Sequence, residues 1–272
     1  MRHGAHDGSG RWRLAAVAFG AALAACALPP LGDPAASPTI STNRPSFSDS
    51  ASLVPNGRVQ VESGYTFTAD RRDGAATRRH AAPETLVRFG ALERLEAQLL
   101  WGGQVRQEVD DGASTSGASD LGFGLRTPIA GQQGWRPQLA LGAIATVGTG
   151  DDGFTTGAHA SATGKLLWAY AFDSGVGLGG NLIAGYPHDG TERFLQFAAS
   201  QWATVALDAR WTAYGEVFAV APKDAGGGTN LSLAGGLLFL VSRTVQLDVR
   251  SGFGLTDDAD DVFAGCGIGV LF

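Results

Sequence analysis

TVQLDVRSGFGLTDDADDVFAGCGIGVLF, residues 244–272, closes the chain, and its first half carries a period of two. Val245, Leu247, Val249 and Phe253 fall on one side of an extended backbone. Gln246, Asp248, Arg250 and two glycines fall on the other. Successive side chains of a strand point to opposite faces, so this is one apolar and one polar sheet face. After the acidic break the pattern resumes, with Ile268, Val270 and Phe272 sharing a side. The two halves read as a hairpin.

The same reading recurs toward the N-terminus. Val59, Val61, Tyr65 and Phe67 alternate with Arg58, Gln60, Glu62, Thr66 and Thr68, and Leu139 to Val147 alternates as cleanly. Twelve strands are expected, near 58–68, 83–90, 95–102, 118–127, 137–148, 159–171, 175–186, 193–206, 211–221, 229–241, 244–254 and 261–272. The strand at 193–206 has apolar residues on both faces. Connections largely alternate in length: Ser242-Arg243 is a tight turn, whereas DRRDGAATRRHAA and GQVRQEVDDGASTS are long and polar. A bacterial outer-membrane barrel has short periplasmic turns, longer outer loops and an even strand count. A soluble sandwich or secreted barrel, the alternative, has no reason to sort its loops.

Composition agrees. Of 272 residues 40 are Gly, roughly twice the usual share, and each Gly inside a helix costs about 1 kcal/mol. A net charge of −6 argues against nucleic acid as a partner. In lipid every backbone polar group must be paired internally, and a closed sheet does this without an edge. Apolar side chains then face lipid, polar ones face the lumen, and lumen glycines leave room. Trp101, Trp168, Tyr170, Tyr186 and Trp211 fall near strand ends, where aromatic girdles belong. A terminal Phe272 on an alternating last strand, with Ile268 and Val270, is the pattern that barrel assembly machinery recognises.

Residues 1–27 read as a signal peptide: Arg2, Arg11 and Arg13 precede an apolar run, Leu14 to Ala25, too short to span a bilayer. Leu23-Ala24-Ala25-Cys26 matches a lipobox, making Cys26 a lipidation candidate, with ordinary cleavage after Ala27 as the alternative. Residues 28–57 form a Pro/Ser-rich linker or plug without periodicity, and 58–272 the barrel. Once Cys26 is removed or lipidated, Cys266 is the only other cysteine, so no intrachain disulfide is expected.

TNRPSFSDSASLVPNGRVQVESGYTF (42–67), PETLVRFGALERLEAQL (83–99), YGEVFA (214–219) and LDVRSGFGLTDDADDVFAGCGIGVLF (247–272) together resemble the bacterial outer-membrane transporter family associated with the meta-pathway of phenol degradation. Asn43 stands where that family usually has Asp, and Val270-Leu271 where it often has a basic residue. The resemblance implies an outer-membrane barrel, often linked to aromatic-compound metabolism, and implies no particular substrate.

Few residues suggest chemistry. His159 and Ser161 have the spacing of outer-membrane lipid hydrolases, in which a His base and Ser nucleophile share a strand face. Their parity matches Lys165, opposite Leu166, Trp168 and Tyr170, and so points to the lumen, away from lipid. Lumen-parity charges are the better selectivity candidates: Arg58, Glu62, Arg88, Glu96, Asp120, Arg126, Glu216, Asp248 and Arg250, with Arg44 ahead of them. Cross-strand pairing that fills the lumen is the plainer role for them. Arg44, stiffened by Pro45, is expected to pair with a lumen carboxylate such as Glu62, Glu96 or Glu216. Asp257, Asp258, Asp260 and Asp261 match no calcium loop. Arg71, Arg72, Arg78 and Arg79 suit lipopolysaccharide phosphates. No Walker loop, dinucleotide fingerprint or Cys/His metal spacing is present, so no cofactor or metal is expected. The reading is an outer-membrane channel for passive passage of small, hydrophobic aromatic solutes. A lipid hydrolase and a non-conducting structural surface barrel are the alternatives.

Overall fold

The structure is a computed structural model that describes residues 38–272 apart from 73, 74, 111, 158 and 189–191. The signal peptide, Cys26 and the linker up to residue 37 lie outside the described residues. The strands are β1 (Val59–Arg72), β2 (Ala75–Leu92), β3 (Leu95–Trp101), β4 (Gln104–Val109), β5 (Ser114–Ala118), β6 (Leu121–Ala130), β7 (Gln138–Val147), β8 (Ser161–Ala171), β9 (Val176–Tyr186), β10 (Gln196–Ala206), β11 (Trp211–Ala221), β12 (Asn230–Ser242), β13 (Val245–Gly254) and β14 (Val262–Leu271).

These fourteen segments make a barrel of twelve staves. Trp101 faces Leu121 and Gln104 faces Ala118, so β3 and β4 continue each other in one register against β6 and β5. Each remaining strand pairs antiparallel with its sequence neighbours, and β1 pairs with both β2 and β14, which closes the sheet. No edge is left to lipid.

Alternation sets the faces. Leu125, Leu141, Leu182, Phe197, Val249 and Phe253 point outward and are exposed. Trp135, Tyr170 and Phe172 cluster at the periplasmic rim, as do Trp211 and Phe239. Tyr65 and Phe67 flank His80 toward the other end.

Two expectations need correction. Polar loops after the first and third expected strands are largely sheet: β1 and β2 pair out to Arg72 opposite Ala75, and β4 and β5 form a hairpin. Beyond the bilayer both faces of a sheet meet water, so period two disappears there while pairing continues. The lumen is also less polar than alternation implies, since Leu167 and Leu271 are buried inside it. They pack against the N-terminal segment, Leu167 with Ala51 and Leu271 with Ile40 and Val54. The two apolar faces at 193–206 have the same origin, with Phe197 outward and Trp202 inward, against the lining of a lumen cavity.

Candidate functional site

Residues 40–54 run inside the barrel and lack a sheet of their own, so their backbone N–H and C=O groups need partners. Lumen side chains supply them. The Asn43 and Arg44 amides donate to Glu62 Oε2 at 2.8 and 2.9 Å. Those of Phe47 and Ser48 donate to the Glu216 carboxylate at 2.8 and 2.9 Å, and the Ser48 hydroxyl to the same carboxylate. The Asp49 amide donates to Asn181 Oδ1 at 2.7 Å and the Val54 amide to Glu96 Oε2 at 2.7 Å. Three glutamates that looked like solute-facing charges are thus acceptors for the chain's own backbone.

Cations serve the carbonyls. Arg88 is fully buried and uses all five donors: two on Glu96 at 3.0 and 2.9 Å, one on Glu62 at 3.3 Å, and one each on the Ser41 and Ser52 carbonyls at 2.7 Å. Arg126 donates to the Ser50 carbonyl at 2.9 Å, and Arg250 to that of Pro45 at 2.9 Å. Asp49 is the reciprocal case, its carboxylate lying 2.8 Å from Lys165 and 3.3 Å from Arg126. Phe47 stacks on Phe218 with centroids 4.4 Å apart.

Arg44 does pair with lumen carboxylates, but with Glu84 and Asp248 instead of Glu62, Glu96 or Glu216. Its guanidinium lies 3.2 Å from Glu84 and 3.5 Å from Asp248, and donates to the Cys266 carbonyl at 2.9 Å. Glu62, Glu96 and Glu216 are taken by backbone amides and by Arg88. Arg44 reaches its partners because the wall beside it is glycine: a Cβ on Gly64 would lie 2.6 Å from Arg44 NH1. Glu84 was missed, although its even parity with Arg88 marked it. Asp49 and Asn181 carry no such signal in the sequence, and Lys165 shows only its lumen parity, because each is ordinary until the segment is inside.

Arg58 and Asp120 are not lumen groups. Arg58 precedes β1, in the turn where its amide donates to the Pro55 carbonyl at 3.0 Å. Asp120 lies beyond β6, whose ten residues suffice to cross the membrane, and so belongs to the outer rim. Its oxygens accept from the amides of Thr149, Gly150 and Thr156 and from the hydroxyls of Thr155 and Thr156, at 2.6–3.0 Å. Partial burial alone would raise its pKa, but these donors outweigh it and bring it to about 2. A depressed acid stabilises the fold above its unfolded value, and that contribution is lost as pH falls through the folded value. Amides 149–156 should therefore lose hydrogen-exchange protection as pH drops from about 4 to about 2. In Asp120→Ala protection should be low throughout; a protected loop in that variant would show that other contacts hold it.

No hydrogen bond joins His159 to Ser161. His159 stacks on His188 with centroids 3.9 Å apart, and the buried Ser161 hydroxyl has no hydrogen-bond partner. Among the described residues no group of three His, Cys, Asp or Glu could hold a metal. The acidic stretch after β13 instead ties outer strands together, Asp261 accepting from the Arg71 amide at 3.0 Å and the Asp258 carbonyl from Arg72 at 2.8 Å. Arg72 also pairs with Asp70 at 2.7 Å, and Arg78 with Asp110 at 3.5 Å. Above the segment lies a polar vestibule of about 500 Å³ whose lining includes Asp70, Arg79, Gln107, Lys223 and Asp260. Toward the periplasm a smaller cavity of about 220 Å³ remains between the segment and β10 to β13.

A closed barrel with a lipid-compatible wall, filled by its own N-terminal segment, defines an outer-membrane β-barrel of the bacterial type. The chain belongs to the family described as the MetA-pathway of phenol degradation, whose model matches residues 42–272. Its fold is similar to that of an outer-membrane channel from Pseudomonas putida F1, with TM-score 0.63 and 13% identity over 84% of this chain and 100% of that one. NanC porin matches with TM-score 0.48 and 10% identity, over 79% of this chain and 98% of that one. The translocator domain of the autotransporter NalP from Neisseria meningitidis matches with TM-score 0.48 and 15% identity, over 79% and 88%. No curated protein matches the sequence. The protein resides in the bacterial outer membrane.

Proposed function

We propose that the protein is a passive outer-membrane channel for small solutes, aromatic ones by its family, with residues 42–49 as the constriction. The observation that carries this reading is the way the lumen binds the segment. Lumen side chains of β1, β2, β3, β6, β9, β11 and β13 bond its backbone directly, at single atoms spread around the wall. The cross-strand pairs of Arg88 with Glu62 and Glu96 fill part of the lumen, and the contacts to the segment's backbone come on top of them, holding a stretch of chain that covers the lumen without belonging to the sheet. Its partners in this reading are outer-membrane lipid and lipopolysaccharide, the assembly machinery and the solute. The hydrolase alternative lacks a nucleophile–base contact, so no chemical step is assigned.

Deleting residues 42–49 tests the proposal in planar bilayers and phenol-loaded liposomes. Single-channel conductance and phenol flux should both rise, while the heat-modifiable gel migration of a folded barrel is kept. Unchanged conductance would make the segment a free tether and put the narrow point in the strands or outer loops, and no conductance with or without the segment would favour the non-conducting barrel.

A further inference from the structure

Gln201 is a polar side chain on the wrong side of the wall. It is the sixth of the eleven residues of β10 and is exposed on the outward face, between Ala199 and Ala203. A strand of that length crosses the hydrocarbon from rim to rim, so this side chain lies near the bilayer midplane. Across the sheet it stands level with Gly180 of β9 and Val217 of β11, whose side chains offer it nothing polar. Ser63, Thr85, Thr127 and Ser251 also point outward, but each carries only a short hydroxyl. Among the described residues between the two rims, no other outward side chain is an amide or an ion.

The amide meets half of its demand locally. Its nitrogen donates to the Gly179 and Trp202 carbonyls at 3.0 and 3.1 Å. Both partners are acceptors, so the nitrogen has to face them and the oxygen points away from the sheet. Among the described residues nothing donates to that oxygen. Lipid tails hold no donor, while headgroups and water stay at the rims, so a bare amide oxygen at the midplane is costly. A leucine would serve a wall that met only lipid.

The wall around Gln201 is also low. Gly180, Ala199, Ala203 and Ala219 flank it, and toward the outer rim a hollow of about 490 Å³ opens between Leu182, Phe197 and Ala221. Small neighbours let a second wall come close enough to hydrogen-bond a side chain of this length.

We propose that this outward face of β9 to β11, centred on Gln201, is where a second copy of the chain docks in the membrane. The occupant has to bring a hydrogen-bond donor to midplane depth, on a surface that fits a shallow hollow. A second copy does both, because in one membrane each residue of the two copies lies at the same depth. About a two-fold axis along the membrane normal, Gln201 meets Gln201. Each nitrogen keeps the Gly179 carbonyl and turns its other hydrogen from the Trp202 carbonyl to the oxygen of the other copy. Phe197, on the rim of the hollow, is at the depth to enter the hollow opposite. The lumen takes no part, so the pairing is independent of the channel reading.

Thiol cross-linking of the full-length protein in native outer membranes reads the contact. Cys266 is exposed on the outward face, so Cys266→Ser is the background. In it, a bismaleimide should join Gln201→Cys into a band of twice the chain's mass. Val87→Cys, in β2 across the barrel, should stay single. In mild detergent wild type should have the mass of two copies, and Gln201→Leu should shift the balance several-fold toward single barrels. Ala199→Phe, which fills the hollow, should do the same, with heat-modifiable migration kept in both variants. The proposal is overturned by a wild type of one chain's mass without a cross-link at residue 201, or by a cross-linked band of any other mass. Gln201→Leu and Ala199→Phe barrels that pair like wild type would overturn it as well.

Discussion

Arg88→Ala should free the lumen segment and lower the barrel's heat resistance more than any other single charge replacement in the lumen. The side chain is fully buried and satisfies five acceptors at once, two of them carbonyls of the segment. Truncation leaves Glu62 and Glu96 buried without their cation, and removing one partner of a buried ion pair costs about 3–5 kcal/mol. Neither carboxylate can move to water without releasing the Asn43, Arg44 or Val54 amide it holds. Loosening the segment is the cheapest escape, because it lets water into the lumen. Arg88→Lys should lose less but still fail to restore wild type, since an ammonium has three donors where five acceptors wait. The temperature at which the heat-modifiable band converts reports stability, and single-channel conductance reports the segment. An Arg88→Ala barrel unchanged in both would mean that the network is incidental.

The sequence makes the barrel legible because lipid imposes one rule on the whole outer wall. Val245, Leu247, Val249 and Phe253 had to share a face, and no lumen detail could disturb that. Past the bilayer the rule stops, which is why β4 and β5 look like a loop in the sequence and are a hairpin in space. The lumen obeys a different constraint, complementarity to a segment with no period of its own. Parity therefore identified Glu62, Arg88, Glu96, Arg126, Glu216, Asp248 and Arg250 as inward groups, and all of them lie there. What parity cannot say is the partner. Glu216 accepts two amides and a hydroxyl from Phe47 and Ser48, far away in the sequence, and nothing local to YGEVFA encodes this. Arg44 turns to Glu84 and Asp248 because Glu62, Glu96 and Glu216 already accept the segment's backbone amides, so the segment's largest demand comes from its backbone. Asp120 shares lumen parity, yet it sits where β6 has already left the membrane, so a loop claims it.

The root of the segment supplies the other large effect, through a glycine rather than a charge. Gly90 in β2 faces the lumen where the chain leaves the segment for β1. The Gly57 amide donates to the Gly90 carbonyl at 2.7 Å, and the Gly90 amide to that of Arg58 at 3.0 Å. A Cβ there would collide with the Pro55 carbonyl oxygen and lie 2.6 Å from the Val54 oxygen. Both obstacles are backbone, and β2 is fixed on its other side by β3, so only the segment can yield. Overpacking of this kind costs about 1–3 kcal/mol, and the displaced root also forfeits the bond from the Val54 amide to Glu96, about 1 kcal/mol more. Gly164→Ala in β8 is the matched control: its nearest atom is the Ala184 oxygen at 3.9 Å, on the outward face, where a methyl group meets lipid. Gly90→Ala should therefore raise conductance and expose residues 50–57 to added protease from the periplasmic side, with the barrel still heat-modifiable. Gly164→Ala should match wild type in every respect. Equal conductance in the two variants would show that the barrel wall, and not the root at Pro55, bears the strain.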